Sequence, residues 1–120
     1  MSALPVRSVP VACVPDAIPR EQRAAHFALA KHLFKELAEG RESLAEGYAF
    51  RFPPEAISSI AHFVDNERRC CPFMQFEIAV SPDAGPVWLR MSGPEGTHAV
   101  LDAELGLNGC TSRGCGCNGD

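Results

Sequence analysis

The sequence predicts an α+β fold in which about three helices pack on one face of a small, mostly antiparallel sheet. Two segments with helix-spaced apolar residues, 18–40 and 54–70, alternate with segments whose apolar residues recur at every second position. The chain has 120 residues, enough to bury one core. We therefore expect a single domain over residues 1–107, followed by a flexible tail over 108–120 that is rich in Cys and Gly.

The predicted order of elements is (β)αβαββα, and the first three come from the N-terminal half. Residues 8–14 alternate, but prolines within and after the segment restrict it to an edge strand. A helix is expected from about Pro19, which suits a first turn, to Gly40, which suits a C-terminal cap. Residues 44–52 alternate again and predict the next strand.

The C-terminal half predicts a helix, a hairpin and a last helix. Residues 54–70 carry the i, i+3, i+4, i+7 apolar pattern of a buried helical face. Pro72 should end this helix, because a proline disfavours helical geometry in the residue before it. Segments 73–80 and 87–91 alternate across a Pro/Gly-rich turn and predict an antiparallel hairpin, and 94–105 predicts the last helix.

Composition and charge exclude several classes of function. The net charge of −4 provides no general basic surface for nucleic acid, and no apolar run is long enough to span a bilayer. The N-terminal residues do not resemble a secretory signal, so we expect a cytoplasmic protein with reduced thiols. Six cysteines in such a chain favour metal binding or thiol chemistry over a disulfide framework.

The adjacent cysteines Cys70 and Cys71 stand where the second helix must end, before Pro72. A redox-active cysteine is usually activated at a helix N-terminus, whereas the dipole at a C-terminus opposes a thiolate. Arg68 and Arg69 would offset this only in part, while a bound soft cation would offset it far more. The arrangement therefore favours a metal thiolate over a free nucleophile, although either cysteine alone could also be a core residue.

The remaining cysteines extend the candidate site. Cys13 would have to approach the adjacent pair through the fold, and a trio of thiolates suits soft ions such as Hg(II), As(III) or Cu(I). The tail has a C-x4-C-x-C spacing among glycines, which can bring thiols together on one ion. Zn(II) is a fourth candidate ion, but the spacing is not that of a zinc finger. The predicted metal ligands are Cys13, Cys70, Cys71, Cys110, Cys115 and Cys117.

Other residues that can carry chemistry give weaker signals. The four histidines, His26, His32, His62 and His98, have no common metal-ligand spacing, and we expect each to be a surface or half-buried residue. The acidic residues are scattered along the chain. Since there is no phosphate loop, no Ser/His/Asp ordering and no pair of carboxylates, we assign no catalytic residue and do not expect an enzyme.

Four stretches of the chain, "ACVPDAIPREQR", "GYAFRFP", "ERRCCPFMQFEI" and "GPVWLRMSGPEG", resemble a family of small bacterial proteins with an E-R-x-C-C-P-F core. The resemblance spans roughly residues 11–101. It implies cytoplasmic proteins, some encoded near mercury- or other metal-resistance genes, and it carries no established activity. The family's cysteines match Cys13, Cys70 and Cys71, whereas the Cys-rich tail lies outside the shared core.

Three functions compete on these grounds. The first is a soft-metal-binding protein for detoxification, sequestration or handover, whose tail captures the ion and whose core cysteines hold it, with a metal-resistance protein as partner. The second is a thiol oxidoreductase that uses Cys70 or Cys71 with a resolving cysteine in the tail. The third is a small interaction domain with incidental thiols. The position of the pair at a helix C-terminus favours the first.

Overall fold

A four-stranded antiparallel sheet forms one layer of the protein. The computed structural model describes residues 10–106. The strands are β1 (Gly40–Leu44), β2 (Gly47–Phe52), β3 (Gln75–Val80) and β4 (Val87–Ser92). They lie in the order β1-β2-β4-β3, and every neighbouring pair is antiparallel. The predicted hairpin of the C-terminal half is therefore present as β3 and β4.

Three helices form the second layer. Helix α1 (Arg20–Lys31) continues into a π-helical segment (His32–Leu37), α2 (Ile57–Cys70) follows a short 3₁₀ turn (Pro54–Ala56), and α3 (Thr97–Leu105) ends the described chain. Together with the sheet they confirm the predicted α+β class. None of the helices within the described residues combines the length and apolar character needed to span a membrane.

The core lies between the helices and one face of the sheet. The ring of Phe34 meets Phe50, Phe52 and Phe63 edge-to-face, at centroid distances of 4.8, 5.8 and 5.1 Å. These contacts join the π-helical segment to β2 and α2. Leu89 and Met91 of β4 add to the same side and are fully buried. Because the period of a strand is two, the intervening residues of β2 and β4 occupy the other face of the sheet.

The N-terminal strand is the element that the sequence placed wrongly. Within residues 10–14, the described part of segment 8–14, the structure has no strand. The fourth strand is instead β1, which pairs with β2 through a two-residue turn. Its residues are mostly polar and exposed, because β1 is an edge strand, so the apolar alternation that marks a half-buried strand is missing. Gly40 consequently begins a strand rather than capping a helix.

The irregular N-terminal segment is fixed to the end of α2. The backbone N–H of Val14 donates to the carbonyl of Cys70 over 2.6 Å, which satisfies one of the free carbonyls at the helix C-terminus. A 3₁₀ turn (Pro15–Ala17) follows, and Ile18 is fully buried in the core. This connection holds Cys13 beside the last turn of α2.

Candidate metal centre

The adjacent cysteines end helix α2, as predicted. Cys70 is the last helical residue, and Cys71 leaves helical geometry with φ −122° and ψ 75°. The N–H of Cys71 still donates to the carbonyl of Glu67 over 2.7 Å, but Pro72 has no N–H with which to continue the ladder. Both cysteines are almost completely buried, with 1% and 0% of their surface exposed. The change of backbone conformation between them lets both thiols face the same space.

Three thiols and one carboxylate converge at this point. The sulfur atoms of Cys13, Cys70 and Cys71 and a carboxylate oxygen of Glu104 all lie within 4.8 Å of one another. The three cysteines are free thiols. They come from the N-terminal segment and the end of α2, and the carboxylate comes from α3. We call Cys13, Cys70, Cys71 and Glu104 the thiol cluster.

Hydrogen bonds connect the thiol cluster to a second carboxylate, that of Glu67. The Cys71 thiol lies 3.3 Å from Glu67 Oε2 and 3.5 Å from Glu104 Oε1, and the Cys13 thiol lies 3.4 Å from Glu104 Oε1. Each thiol has one proton to donate, so the carboxylates are its acceptors. The sequence shows no pair of carboxylates that points to a reaction, but the fold brings together two glutamates that are far apart in the chain.

Glu67 is itself held by a buried histidine. His26 of α1 is 2% exposed, its Nε2 lies 2.8 Å from Glu67 Oε1, and its ring stacks on Phe63 at 5.3 Å. Its Nδ1 is buried and has no hydrogen-bond partner among residues 10–106. The expectation of a surface or half-buried His26 was wrong. Its neighbour Phe27, although apolar, is 45% exposed.

The surroundings raise the pKa of all three thiols. Burial is the largest cause in each case. It raises the pKa of Cys13 to about 12, and it raises the pKa of Cys71 further because the negative charge of Glu67 adds to it. The pKa of Cys70 rises for the same two reasons. Without a bound cation, the thiols are therefore protonated near neutral pH.

The two arginines that precede the cysteines do not offset this effect. Arg68 and Arg69 lie 3.6 and 3.8 Å from the carboxylate of Asp65, on the exposed side of α2. Among the described residues, His26 is the only basic side chain that pairs with Glu67, and none pairs with Glu104. The thiol cluster thus concentrates potential negative charge without a balancing cation.

Glu104 is the candidate ligand that sequence analysis missed. The residue as a whole is exposed, but its carboxylate lies against the thiols and near Glu67. Desolvation there, followed by the charge of Glu67, raises the pKa of Glu104 to about 7. The sequence places Glu104 in the last predicted helix. It does not show which face of that helix packs against the thiols, so it does not identify this glutamate as a ligand.

A cluster of three sulfurs and one oxygen within 4.8 Å can surround a single ion. Thiolates select soft ions, and a site with two or three sulfurs accepts Hg(II), Cu(I) or As(III), while four ligands satisfy the tetrahedral preference of Zn(II). No protein-family model, curated protein or solved structure matches this chain. The inference about function therefore rests on the site itself.

The six predicted site residues divide into those that the structure describes and those that it does not. Cys13, Cys70 and Cys71 come together, as expected for a trio of thiols. Cys110, Cys115 and Cys117 lie outside the described residues, so their part in the site stays a prediction.

A second polar cluster also takes residues from α3. His98 Nε2 lies 2.9 Å from Ser43 Oγ and His98 Nδ1 lies 3.3 Å from Asp102 Oδ2, while the Tyr48 hydroxyl donates to the other oxygen of Asp102. Arg41 lies over the Tyr48 ring at 5.6 Å. We call Ser43, Tyr48, His98 and Asp102 the histidine cluster. It joins Ser, His and Asp, which the order of residues in the sequence had not indicated.

Proposed function

We propose that this protein binds thiophilic metal ions through the thiolates of Cys13, Cys70 and Cys71, with Glu104 as a further ligand. Its role would be detoxification, sequestration or handover of a mercury-like ion. One observation supports this above the others: three free thiols from two separate segments meet a carboxylate within 4.8 Å. Three converging thiols are more than a hydrophobic core needs, and they match the ligand preference of soft ions.

The raised pKa of the thiols supports ion binding over nucleophilic catalysis. A catalytic cysteine needs a pKa below the ordinary value, which cationic neighbours or a helix N-terminus provide. Here burial and the charge of Glu67 act in the opposite direction on Cys71. A bound cation reverses the balance, because it neutralises the carboxylates and the thiolates together. The thiol oxidoreductase is therefore the less favoured function.

The resemblance to proteins encoded near metal-resistance genes is consistent with this proposal and adds a partner. A resistance protein would deliver the ion or receive it. The tail cysteines would capture the ion first and pass it to the thiol cluster. The net charge of −4 gives no reason to add a nucleic acid to the partners.

The test separates the thiol cluster from the tail. In full-length protein with Cys110, Cys115 and Cys117 replaced by serine, Hg(II) is titrated in competition with a dithiol chelator, and metal content is measured after gel filtration. We expect one tightly held ion per chain. Adding Cys70→Ser and Cys71→Ser should abolish tight binding, while circular dichroism remains that of the folded protein.

Two results of these measurements would contradict the proposal. If the variant with Cys70→Ser and Cys71→Ser binds Hg(II) with the affinity of its parent, the thiol cluster is not the site. An iodoacetamide reaction of Cys70 or Cys71 that titrates near pH 6 without metal would instead support the oxidoreductase, since that requires a lowered pKa.

A further inference from the structure

A cavity of about 180 Å³ adjoins the thiol cluster. It lies between the helix formed by α1 and its π-helical continuation, helix α2 and helix α3. One part of its wall is aromatic and aliphatic, and another is charged or polar; the lining residues are Phe27, Ala30, Phe34, Phe63 and Leu105, and His26, Lys31, Lys35, Glu67 and Glu104. Phe27 is 45% exposed, so the cavity is open to solvent on that side and a ligand can enter it there.

The cavity and the thiol cluster share two side chains. Glu67 and Glu104 both line the cavity, and both carboxylates lie within 3.5 Å of the Cys71 sulfur. The cavity therefore begins one side chain away from the thiols. In an ion with a carbon substituent, that substituent takes one ligand position, so it replaces Glu104, and this exposed residue can turn away from the cavity.

The size and chemistry of the cavity suit a small aromatic ring. An engineered apolar cavity of about 150 Å³ in another protein holds benzene, so a phenyl group fits the volume available here. The rings of Phe34 and Phe63 already meet edge-to-face at 5.1 Å. A phenyl ring that packs against these two rings gains contacts of the same kind.

We propose that the cavity receives the apolar substituent of an organo-substituted thiophilic ion, so that the protein binds arylated or alkylated soft ions in preference to bare ones. This inference rests on the proposed function, because the thiols must hold the ion. It names the ligand class of that site: a soft ion with one apolar carbon substituent and at least one position free for sulfur.

The chemistry of As(III) shows how the two ligand types differ. Arsenite, As(OH)₃, condenses with three thiols; three As–S bonds form, three As–O bonds break and three waters leave. Phenylarsine oxide condenses with two thiols and releases one water, while its As–C bond stays intact. Neither reaction needs an oxidant or a reductant. The first uses Cys13, Cys70 and Cys71, and the second uses two of them and directs the phenyl ring to the cavity.

The experiment compares the two arsenicals on variants of one helix. Full-length reduced protein with the three tail cysteines replaced by serine is titrated with arsenite and with phenylarsine oxide, each in competition with a dithiol. Ala30→Leu fills the cavity, and Ala28→Leu, at an exposed position of the same helix, is the matched control. We expect Ala30→Leu to weaken phenylarsine oxide about tenfold, since burial of a ring is lost, and to change arsenite less than about twofold.

A second variant guards against misfolding of the first. Phe27→Ala removes a cavity wall that is 45% exposed, and it should weaken phenylarsine oxide several-fold while arsenite binding stays the same. Equal effects on both arsenicals, or no effect of either variant, would overturn the cavity proposal while leaving ion binding intact. If neither arsenical binds the parent protein, the Hg(II) titration separates the two failures: tight Hg(II) binding overturns the cavity proposal alone, and no Hg(II) binding overturns the proposed function as well.

Discussion

The thiol cluster and the histidine cluster both depend on helix α3, but they differ in the partners that their polar side chains find. In the histidine cluster, Asp102 accepts from Tyr48 and pairs with His98, and His98 contacts Ser43. In the thiol cluster, thiols donate to carboxylates, and desolvation, followed by the charge of Glu67, raises the pKa of Glu104 to about 7. In the histidine cluster each polar side chain has a partner within the cluster, whereas the thiol cluster places three thiols and a carboxylate together with no basic partner among the described residues. The difference supports the proposal that the thiol cluster is the site of ion binding.

The largest expected effect that sharpens this comparison is the pH dependence of ion affinity. The raised thiol pKa means that Hg(II) must displace a proton from each thiol that it binds. Between pH 7.5 and 8.5, for three displaced protons, affinity should rise by roughly a thousandfold per pH unit, about tenfold for each. The measurement is calorimetry in two buffers of different ionisation enthalpy, which counts the protons released. Release of fewer than one proton per ion would mean that the thiols are already ionised, and the contrast between the clusters would be lost.

The next effect concerns stability and tests how much the buried contact between His26 and Glu67 contributes to the free energy of unfolding. His26→Ala leaves the buried carboxylate of Glu67 without its partner and removes the ring stacked on Phe63. Removing one member of a buried pair typically costs about 3–5 kcal/mol, and we expect a loss of at least 3 kcal/mol in the free energy of unfolding. Denaturant unfolding of the metal-free protein measures it.

His32→Ala is the matched control for that variant. His32 lies 2.7 Å from Glu36, but both side chains are about half exposed, so the loss should be less than about 1 kcal/mol. Equal losses for the two histidine variants would show that burial of the His26 pair contributes nothing to stability.

Most of the fold follows from residue patterns, and its exceptions have physical reasons. The apolar face of 54–70 predicts α2, and the alternation of 73–80 and 87–91 predicts the hairpin of β3 and β4. Strand β1 could not be predicted in the same way. An edge strand exposes its side chains, so its sequence resembles that of a loop.

The candidate site was predictable only where its residues are marked by local sequence. Cys70 and Cys71 are adjacent before a proline, which signals their position at a helix end. Cys13 was included on the chemistry of soft ions and on the family resemblance. Its approach to the pair depends on the 2.6 Å hydrogen bond between Val14 and Cys70, a tertiary contact that no spacing encodes. Glu104 was missed because a glutamate near the end of a helix usually faces solvent.

A smaller effect is expected from Glu104 in the metal-free protein. In the folded state its carboxyl keeps a proton up to pH about 7, whereas its ordinary pKa is 4.5. A raised pKa contributes stability that is complete below the unfolded value and is lost as pH rises through the folded value. Wild-type protein should therefore lose melting temperature between pH 5 and 8, and Glu104→Gln should remove that loss.

Melting curves at several pH values check the behaviour of Glu104. We expect the variant to gain a few degrees over wild type at pH 8 and almost nothing at pH 5, a modest effect because the residue is exposed overall. Glu95→Gln, at another exposed glutamate, should show no such trend. If the melting temperatures of Glu104→Gln and Glu95→Gln depend on pH in the same way, the surroundings of the Glu104 carboxylate do not affect its ionisation.

The smallest effect belongs to the histidine cluster and tests whether it is complete without a ligand. Ser43→Ala removes the exposed hydroxyl 2.9 Å from His98, while Asp102 still holds the other ring nitrogen. The free energy of unfolding should change by less than about 0.5 kcal/mol, as for other exposed polar groups. Tyr48→Phe, which removes a donor to Asp102 from a 6% exposed residue, should cost about 1 kcal/mol.

Neither variant should alter Hg(II) affinity, because neither residue touches a thiol or its carboxylates. An Hg(II) affinity that falls in Ser43→Ala would mean that α3 transmits a change from one cluster to the other, and the two could no longer be treated as independent.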